Sequence, residues 1–262
     1  MIKAIFFDVD GTLVSFNTHA IPTSALDALT AVKKKGIKIF IATGRALRQL
    51  NNLHGISFDG YITMNGAYCV NARHEIISKS IIPQEDVEAL LRYQEEKGTF
   101  PVGFMTTEEE TVSFINDKVI ELFKLVNLPL PPVKSFREAV HDEILQMEIY
   151  TDGEQELEIN QKVLVHCQAT RWNPVFTDIN LRGCNKQSGI DHILKYYDIP
   201  LGETMCFGDG GNDISMLRHA AVSVAMGNAS DEVKRTAGYI TDTVDNDGIW
   251  KALKHFGIIE TH

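Results

Sequence analysis

Cysteine is scarce in this chain: four occur in 262 residues, at Cys69, Cys167, Cys184 and Cys206. None belongs to a C-x-x-C pair, so neither a zinc site nor a disulfide framework is suggested, and buried or half-buried free thiols are expected. Long apolar runs are lacking as well. Nothing approaches the ~18 uninterrupted residues of a membrane span, and the first apolar stretch meets Asp8 before a signal-peptide core could form. A cytoplasmic chain with no membrane partner is the expectation. Basic residues are outnumbered, 25 against 35 acidic, for a net charge of -10. That balance argues against a nucleic-acid surface and predicts repulsion from anionic membranes. An anionic small molecule would need a local source of positive charge. Internal repeats and low-complexity tracts are absent, and the 44% hydrophobic content is that of an ordinary globular protein with a sizeable core, expected to be a monomer.

What the chain does have is two short apolar segments that end abruptly in carboxylates and glycines. The first is Ile5-Phe6-Phe7-Asp8-Val9-Asp10-Gly11-Thr12, and the second is Met205-Cys206-Phe207-Gly208-Asp209-Gly210-Gly211-Asn212-Asp213. Each reads as a central parallel strand whose carboxyl end opens into the crevice where α/β sheets bind ligands. A calcium loop fails on spacing. Counting from Asp8, Leu13 stands where a glycine is needed and His19 where a bidentate glutamate is needed. With Gly248 as the sixth position of such a loop, the run Asp245-Asn246-Asp247-Gly248 puts Lys254 at the twelfth and reads better as a loop capping the final helix.

Periodicity predicts an alternating opening. Pro22 to Lys35 carries Ala25, Leu26, Leu29 and Val32 at helical spacing and stops at Gly36, followed by strands at Ile37 to Ala42 and Tyr61 to Met64. This is a doubly wound parallel sheet. From Pro83 the pattern changes to a helix at Asp86 to Lys97, strand-like runs near Thr111 to Ile115 and Leu145 to Tyr150, and helical stretches between and after them. The expected division is a core of residues 1–82 and 183–262 with an α+β insert at 83–182. Alternation returns with a helix at Gln187 to Tyr197, a strand at Thr204 to Phe207, a helix at Asp213 to His219, a strand at Val222 to Ala225 and a helix at Asp231 to Ala237.

Asp8-Val9-Asp10-Gly11-Thr12, Thr43-Gly44-Arg45, Lys186 and Gly208 to Asp213, taken in order, resemble the four motifs of the haloacid dehalogenase superfamily. Asp8 and Thr43 are 35 residues apart (43 minus 8), room for one strand-helix unit, whereas Thr43 and Lys186 are 143 apart (186 minus 43). The large gap lies between the second and third motifs, so the chain resembles the Cof-type, class IIB, phosphatases. That resemblance implies a Rossmann-like core, an inserted cap, and hydrolysis of small phosphorylated metabolites, sugar phosphates among them.

The residues suit that chemistry. A phosphate ester repels nucleophiles, so a catalyst needs a fixed nucleophile, a cation and a proton source. Asp8 fits the nucleophile that forms an aspartyl-phosphate, and Asp10 the general acid that later serves as base. Several carboxylates around a phosphate dianion demand a hard cation. Oxygen-only ligands suit Mg²⁺, held through the Asp8 and Asp209 carboxylates and the Asp10 backbone carbonyl. As the resemblance implies, Asn212 and Asp213 would hold the ion's waters or position neighbouring groups; they also fit as caps of the next helix. The motif order likewise makes Lys186 the charge that bridges nucleophile and phosphoryl oxygens, and Thr43 with Gly44 an anion nest.

Asn65 and Gly66, after the third strand, fit either a substrate contact at the crevice rim or a plain turn. In the insert, Arg171, Trp172 and Asp178 are candidates for a polar, sugar-like leaving group, against core packing for Trp172 and a surface ion pair for Arg171. Two rivals stand beside the phosphatase. A sugar phosphomutase would need clustered arginines for a second phosphate, whereas Arg92, Arg137, Arg171 and Arg182 are dispersed. A non-catalytic binding protein would not need the intact set Asp8, Asp10, Lys186 and Asp209.

Overall fold

Ala4–Phe7 is a buried strand that pairs in parallel with Thr204–Gly208 on one side and Lys38–Ala42 on the other, as seen in a computed structural model that describes residues 1–53 and 56–260, less the Trp172 side chain. Its side chains alternate between two hydrophobic layers. Ile5 and Phe7 meet Ala25, Leu29 and Val32 of helix Thr23–Lys34 together with Ile249 and Leu253 of helix Gly248–His255. Ala4 and Phe6 meet Ile190, Ile193 and Leu194 of helix Lys186–Tyr197 together with Met216 and Leu217 of helix Ile214–His219. A strand covered on both faces has no use for polar residues, which is why the run is uninterrupted until Asp8. Phe6 stacks on Phe40 and Phe7 on Phe207, each with ring centroids 5.0 Å apart, an arrangement that adds to the ~1.5–3 kcal/mol from burying each ring.

The full sheet has eight strands in the order Tyr239–Ile240, Val222–Ala225, Thr204–Gly208, Ala4–Phe7, Lys38–Ala42, Gly60–Thr63, Tyr68–Asn71 and Ile76–Lys79. The first six run parallel, and Tyr68–Asn71 turns back antiparallel on Gly60–Thr63. The chain is therefore an α/β protein with helices on both faces of a mostly parallel sheet. The reversal at the edge and the two-residue strand Tyr239–Ile240 were not legible from periodicity, being too short to show one.

Residues Met1–Ser78 and Asn185–His262 form one compact unit, and Lys79–Cys184 a second; the sequence placed the insert at 83–182. The second unit is built on an antiparallel sheet in the order Glu110–Val112, Val102–Met105, Gln146–Ile149, Phe176–Leu181, Cys167–Asn173. One face, with Val102, Phe104, Met147, Ile149 and Ile179, packs on helices Gln84–Lys97 and Phe136–Ala139. The other face places Gly103, Glu148 and Asp178 in one cross-strand row and Gln146 beside Asn180 in the next. Because these polar side chains are themselves buried, the hydrophobic alternation that marks a strand is blurred, and the hairpin Cys167–Leu181 was not read from the sequence, whereas a helical stretch expected after Leu145 to Tyr150 is present at Gly153–Glu158. All four cysteines are buried and free. No helix of the described residues is long and apolar enough to cross a membrane.

Candidate active site

Parallel strands point their carboxyl ends to one edge of the sheet, and the motif residues gather there. Asp8 follows Ala4–Phe7, Thr43 follows Lys38–Ala42, Asn65 lies two residues past Gly60–Thr63, and Asp209 follows Thr204–Gly208. Asp8 is only 6% exposed, and its backbone N–H is held by the Phe207 carbonyl at 3.0 Å.

Lys186, the first residue of helix Lys186–Tyr197, is fully buried. Its ammonium donates to Asp8 Oδ1 at 2.6 Å and to Asp213 Oδ1 at 2.5 Å. Burial alone would lower the lysine pKa, but the Asp213 and Asp8 carboxylates outweigh it and hold the ammonium above its ordinary range. Asp8 is pushed well above the usual carboxylate range, first by burial and then by Asp213, with Lys186 pulling the other way. Asp209, half-buried, is pushed up to about 7, first by its removal from water and then by Asp213, despite the Thr12 hydroxyl that donates to its Oδ1 at 2.8 Å.

The donor set fits a divalent cation. Asp8, Asp209 and Asp213 each offer an oxygen, all within 4.8 Å of one another. Asp10 is paired with its own arginine, so three acids share the one ammonium of Lys186, and a divalent cation would favour their ionised forms. The three are not equivalent. Asp213 gives Oδ1 to Lys186 and Oδ2 to the backbone N–H groups of Asp209 and Gly210, at 2.9 and 2.8 Å, so it is occupied in shaping the loop. Asp209 takes one donor on each oxygen, Thr12 on Oδ1 and Asn228 on Oδ2 at 3.1 Å, and keeps acceptor capacity for an ion. Although Asp213 stands at the start of helix Ile214–His219, its side chain does not cap it.

Asp10 is gripped from both sides by one residue. Arg45 Nε donates to Oδ2 at 2.7 Å and Nη2 to Oδ1 at 2.6 Å. Thr43, 1% exposed, accepts the Arg45 backbone N–H on Oγ1 at 3.1 Å, leaving its own O–H for donation. Two glycines permit these approaches. A Cβ on Gly11, at φ +81°, would stand 2.2 Å from Asp209 Oδ2, and one on Gly208 would stand 2.5 Å from Asp213 Cβ.

Asn65 and Gly66, for which the sequence left a rim contact and a plain turn both open, have an interior setting. Asn65 is 2% exposed and accepts from Asn212 Nδ2 at 3.0 Å; Gly66 lies against the Asn185 carbonyl, just ahead of Lys186. Met64 and Asn65 both adopt left-handed backbone, φ +50° and +53°, which costs non-glycine residues about 1–3 kcal/mol each. The return is a tie between loops: Met64 N–H reaches the Arg45 carbonyl and Asn65 N–H the Thr43 carbonyl. Thr12, Arg45 and Asn228 are site residues that sequence reasoning passed over. Thr12 and Arg45 lie inside the motifs already singled out, but Asn228, which also donates to the Gly11 carbonyl at 2.9 Å, carries no local signal.

In the second unit, Arg171 is held by Glu156 and by the Asn173 and Pro174 carbonyls, the ion pair that was the bland expectation. Asp178 is buried on the polar sheet face, where it accepts from Gln146 Nε2 at 3.2 Å. The Trp172 side chain lies outside the described residues. Glu148, beside Asp178, is raised to about 7 by burial, which outweighs the hydrogen bond from Tyr150 at 2.6 Å. A separate cluster joins Glu85, Asp86 and His166, in which Asp86 accepts the His166 backbone N–H at 2.9 Å and faces its Nδ1 at 2.9 Å. It fastens the segment before Cys167–Asn173 to the start of helix Gln84–Lys97.

Comparison with known proteins adds to this geometry. The family model described as haloacid dehalogenase-like hydrolase matches residues 5–253. The solved structure of the HAD subclass IIB sugar phosphatase BT4131 is 49% identical with a TM-score of 0.93, covering 98% of this chain and 100% of that one. YkrA of Bacillus subtilis strain 168 is 31% identical over 262 residues, 98% of this chain and 99% of that protein. A longer Streptococcus pyogenes serotype M6 relative is 30% identical over 263 residues, 99% of this chain, which spans only 55% of that relative's length.

Proposed function

Because this chain belongs to the haloacid dehalogenase-like hydrolases, we propose that it is a phosphatase of small phosphorylated metabolites, sugar phosphates foremost, acting through a phosphoaspartate on Asp8. The observation that carries the proposal is the buried Lys186 ammonium 2.6 Å from Asp8 Oδ1, beside the Asp209 and Asp213 carboxylates. An Asp8 oxygen attacks phosphorus while Lys186 holds the carboxylate in line and offsets the charge of the phosphoryl oxygens. As the bond from phosphorus to the leaving oxygen breaks, Asp10, carrying the proton it took from water in the preceding turnover, delivers that proton to the leaving oxygen. Water then attacks the phosphoaspartate and gives a proton to Asp10; the bond to Asp8 breaks and inorganic phosphate leaves. Mg²⁺, which Asp8, Asp209 and the Asp10 carbonyl would hold, supplies charge neutralisation for the phosphoryl group when bound.

A sugar leaving group is supported by the likeness to the solved sugar phosphatase that is 49% identical and covers 98% of this chain. Against a mutase, Arg92, Arg137 and Arg171 are each committed to a glutamate, Glu88, Glu95 and Glu156 respectively. The test is phosphate release from a panel of phosphorylated metabolites with Mg²⁺, with Asp8→Asn as control. Turnover of sugar phosphates without a bisphosphate activator is the expected result, and release by the Asp8→Asn protein at the wild-type rate would overturn the mechanism.

A further inference from the structure

We infer that Arg45 is the positioning residue of the proposed proton-transfer step: it sets the Asp10 carboxylate where the leaving oxygen departs, and it leaves phosphate binding to other groups. The inference rests on the phosphatase reading above. Both Asp10 oxygens are taken, by Nε at 2.7 Å and Nη2 at 2.6 Å, the planar two-point fit that guanidinium makes with a carboxylate. The pair is largely removed from water, with side chains 7% and 14% exposed, so it is not one of the loose surface pairs that contribute little.

The arginine is itself held in place. Its remaining edge donates from Nη1 to the Gln49 carbonyl at 3.2 Å. Its backbone N–H is anchored on Thr43 Oγ1 at 3.1 Å and its carbonyl on the Met64 N–H at 3.0 Å. That last anchor comes from the left-handed Met64–Asn65 turn, so backbone strain is spent on fixing the very residue that fixes Asp10. A phosphate-binding arginine would present its two-point edge to the ligand; here that edge faces Asp10. A lysine in this place would supply charge but no fork.

The test separates positioning from charge. Wild type, Arg45→Lys, Arg45→Gln, Asp10→Asn and the double variant Arg45→Gln with Asp10→Asn are assayed on glucose 6-phosphate, whose alkoxide leaving group needs a proton, and on p-nitrophenyl phosphate, whose leaving group does not. Inhibition by inorganic phosphate is measured for each. Both single Arg45 variants should lose kcat/KM on glucose 6-phosphate by about tenfold or more beyond any loss on p-nitrophenyl phosphate, within the range of a general acid. Phosphate inhibition should stay within about twofold, and Arg45→Gln should add nothing in the Asp10→Asn background, as for residues acting as a unit. Equal losses on both substrates with weakened phosphate inhibition would make Arg45 a phosphate ligand and overturn the inference. Additive losses in the double variant would do the same. Melting curves accompany each variant; failure of both Arg45 variants to fold assigns the residue to the scaffold, which also overturns it. Should wild type release phosphate from neither compound, the phosphatase reading fails before any variant is compared.

Discussion

Lys186 and Asp213 form an ion pair with neither side chain exposed, at 2.5 Å, and the same carboxylate closes the loop through the N–H groups of Asp209 and Gly210. Without Asp213, Lys186 keeps its pair with Asp8 at 2.6 Å, but the two backbone N–H groups lose their acceptor, at about 1–3 kcal/mol for a buried donor left unpaired. Asp213→Ala should therefore lower unfolding free energy by about that amount, read from urea denaturation, and should lower turnover with it, because the Asp209 loop loses its brace. A shift within 0.5 kcal/mol, roughly a surface substitution, would show the brace to be energetically idle.

Asp8→Asn should abolish turnover and leave the circular dichroism spectrum unchanged, because an amide keeps the shape but is a poor nucleophile. Asp10→Asn should slow hydrolysis of sugar phosphates by about 10²–10⁴, the usual contribution of a general acid or base. Steady-state kinetics on both variants decides between these roles and a purely structural one.

Chelation should abolish activity and Mg²⁺ restore it, whereas Ca²⁺ should restore little, since a larger ion with more ligands alters the in-line geometry. Full phosphate release in excess chelator would remove the metal from the mechanism and leave the crowding of Asp8, Asp209 and Asp213 without an explanation.

Glu148 should shape the pH dependence of stability. Its folded pKa, raised by burial to about 7 from an ordinary 4.5, means that the folded chain keeps a proton the unfolded chain releases. The favourable contribution is complete below the unfolded value and is lost as pH rises towards about 7, so stability falls across that window. Glu148→Gln, which stays neutral and can still accept from Tyr150, should raise Tm at pH 8 more than at pH 5. An equal change at both values would mean that the carboxyl does not titrate in this window.

Gly66 tests how Lys186 is seated. At φ +101°, with the Asn185 carbonyl 2.2 Å from any Cβ, alanine cannot fit without moving backbone at the residue before Lys186. Gly66→Ala should reduce kcat while Gly36→Ala, at φ +76° but in open space, affects stability alone.

Much of the α/β core was legible because its signals are local. The strand Lys38–Ala42 and helix Thr23–Lys34 lie within a residue or two of where periodicity put them, since an apolar run covered on both faces has only one way to be satisfied. The sheet of the second unit was less legible. Gln146, Glu148, Asp178 and Asn180 are buried polar residues on a strand face, so hydrophobicity no longer tracks burial and the hairpin Cys167–Leu181 gave no alternation to find.

The chain order of residues determined the two acidic runs and their place after parallel strands. Only the tertiary structure decided who meets whom. Arg45 reaches Asp10 across 35 positions, Lys186 reaches Asp8 across 178, and Asn228 reaches Gly11 across 217. The physical reason is that strand formation depends on near neighbours, whereas the partner of a buried charge is whichever opposite charge the folded sheet edge brings within ~3 Å, a matter of topology that spacing along the chain does not encode.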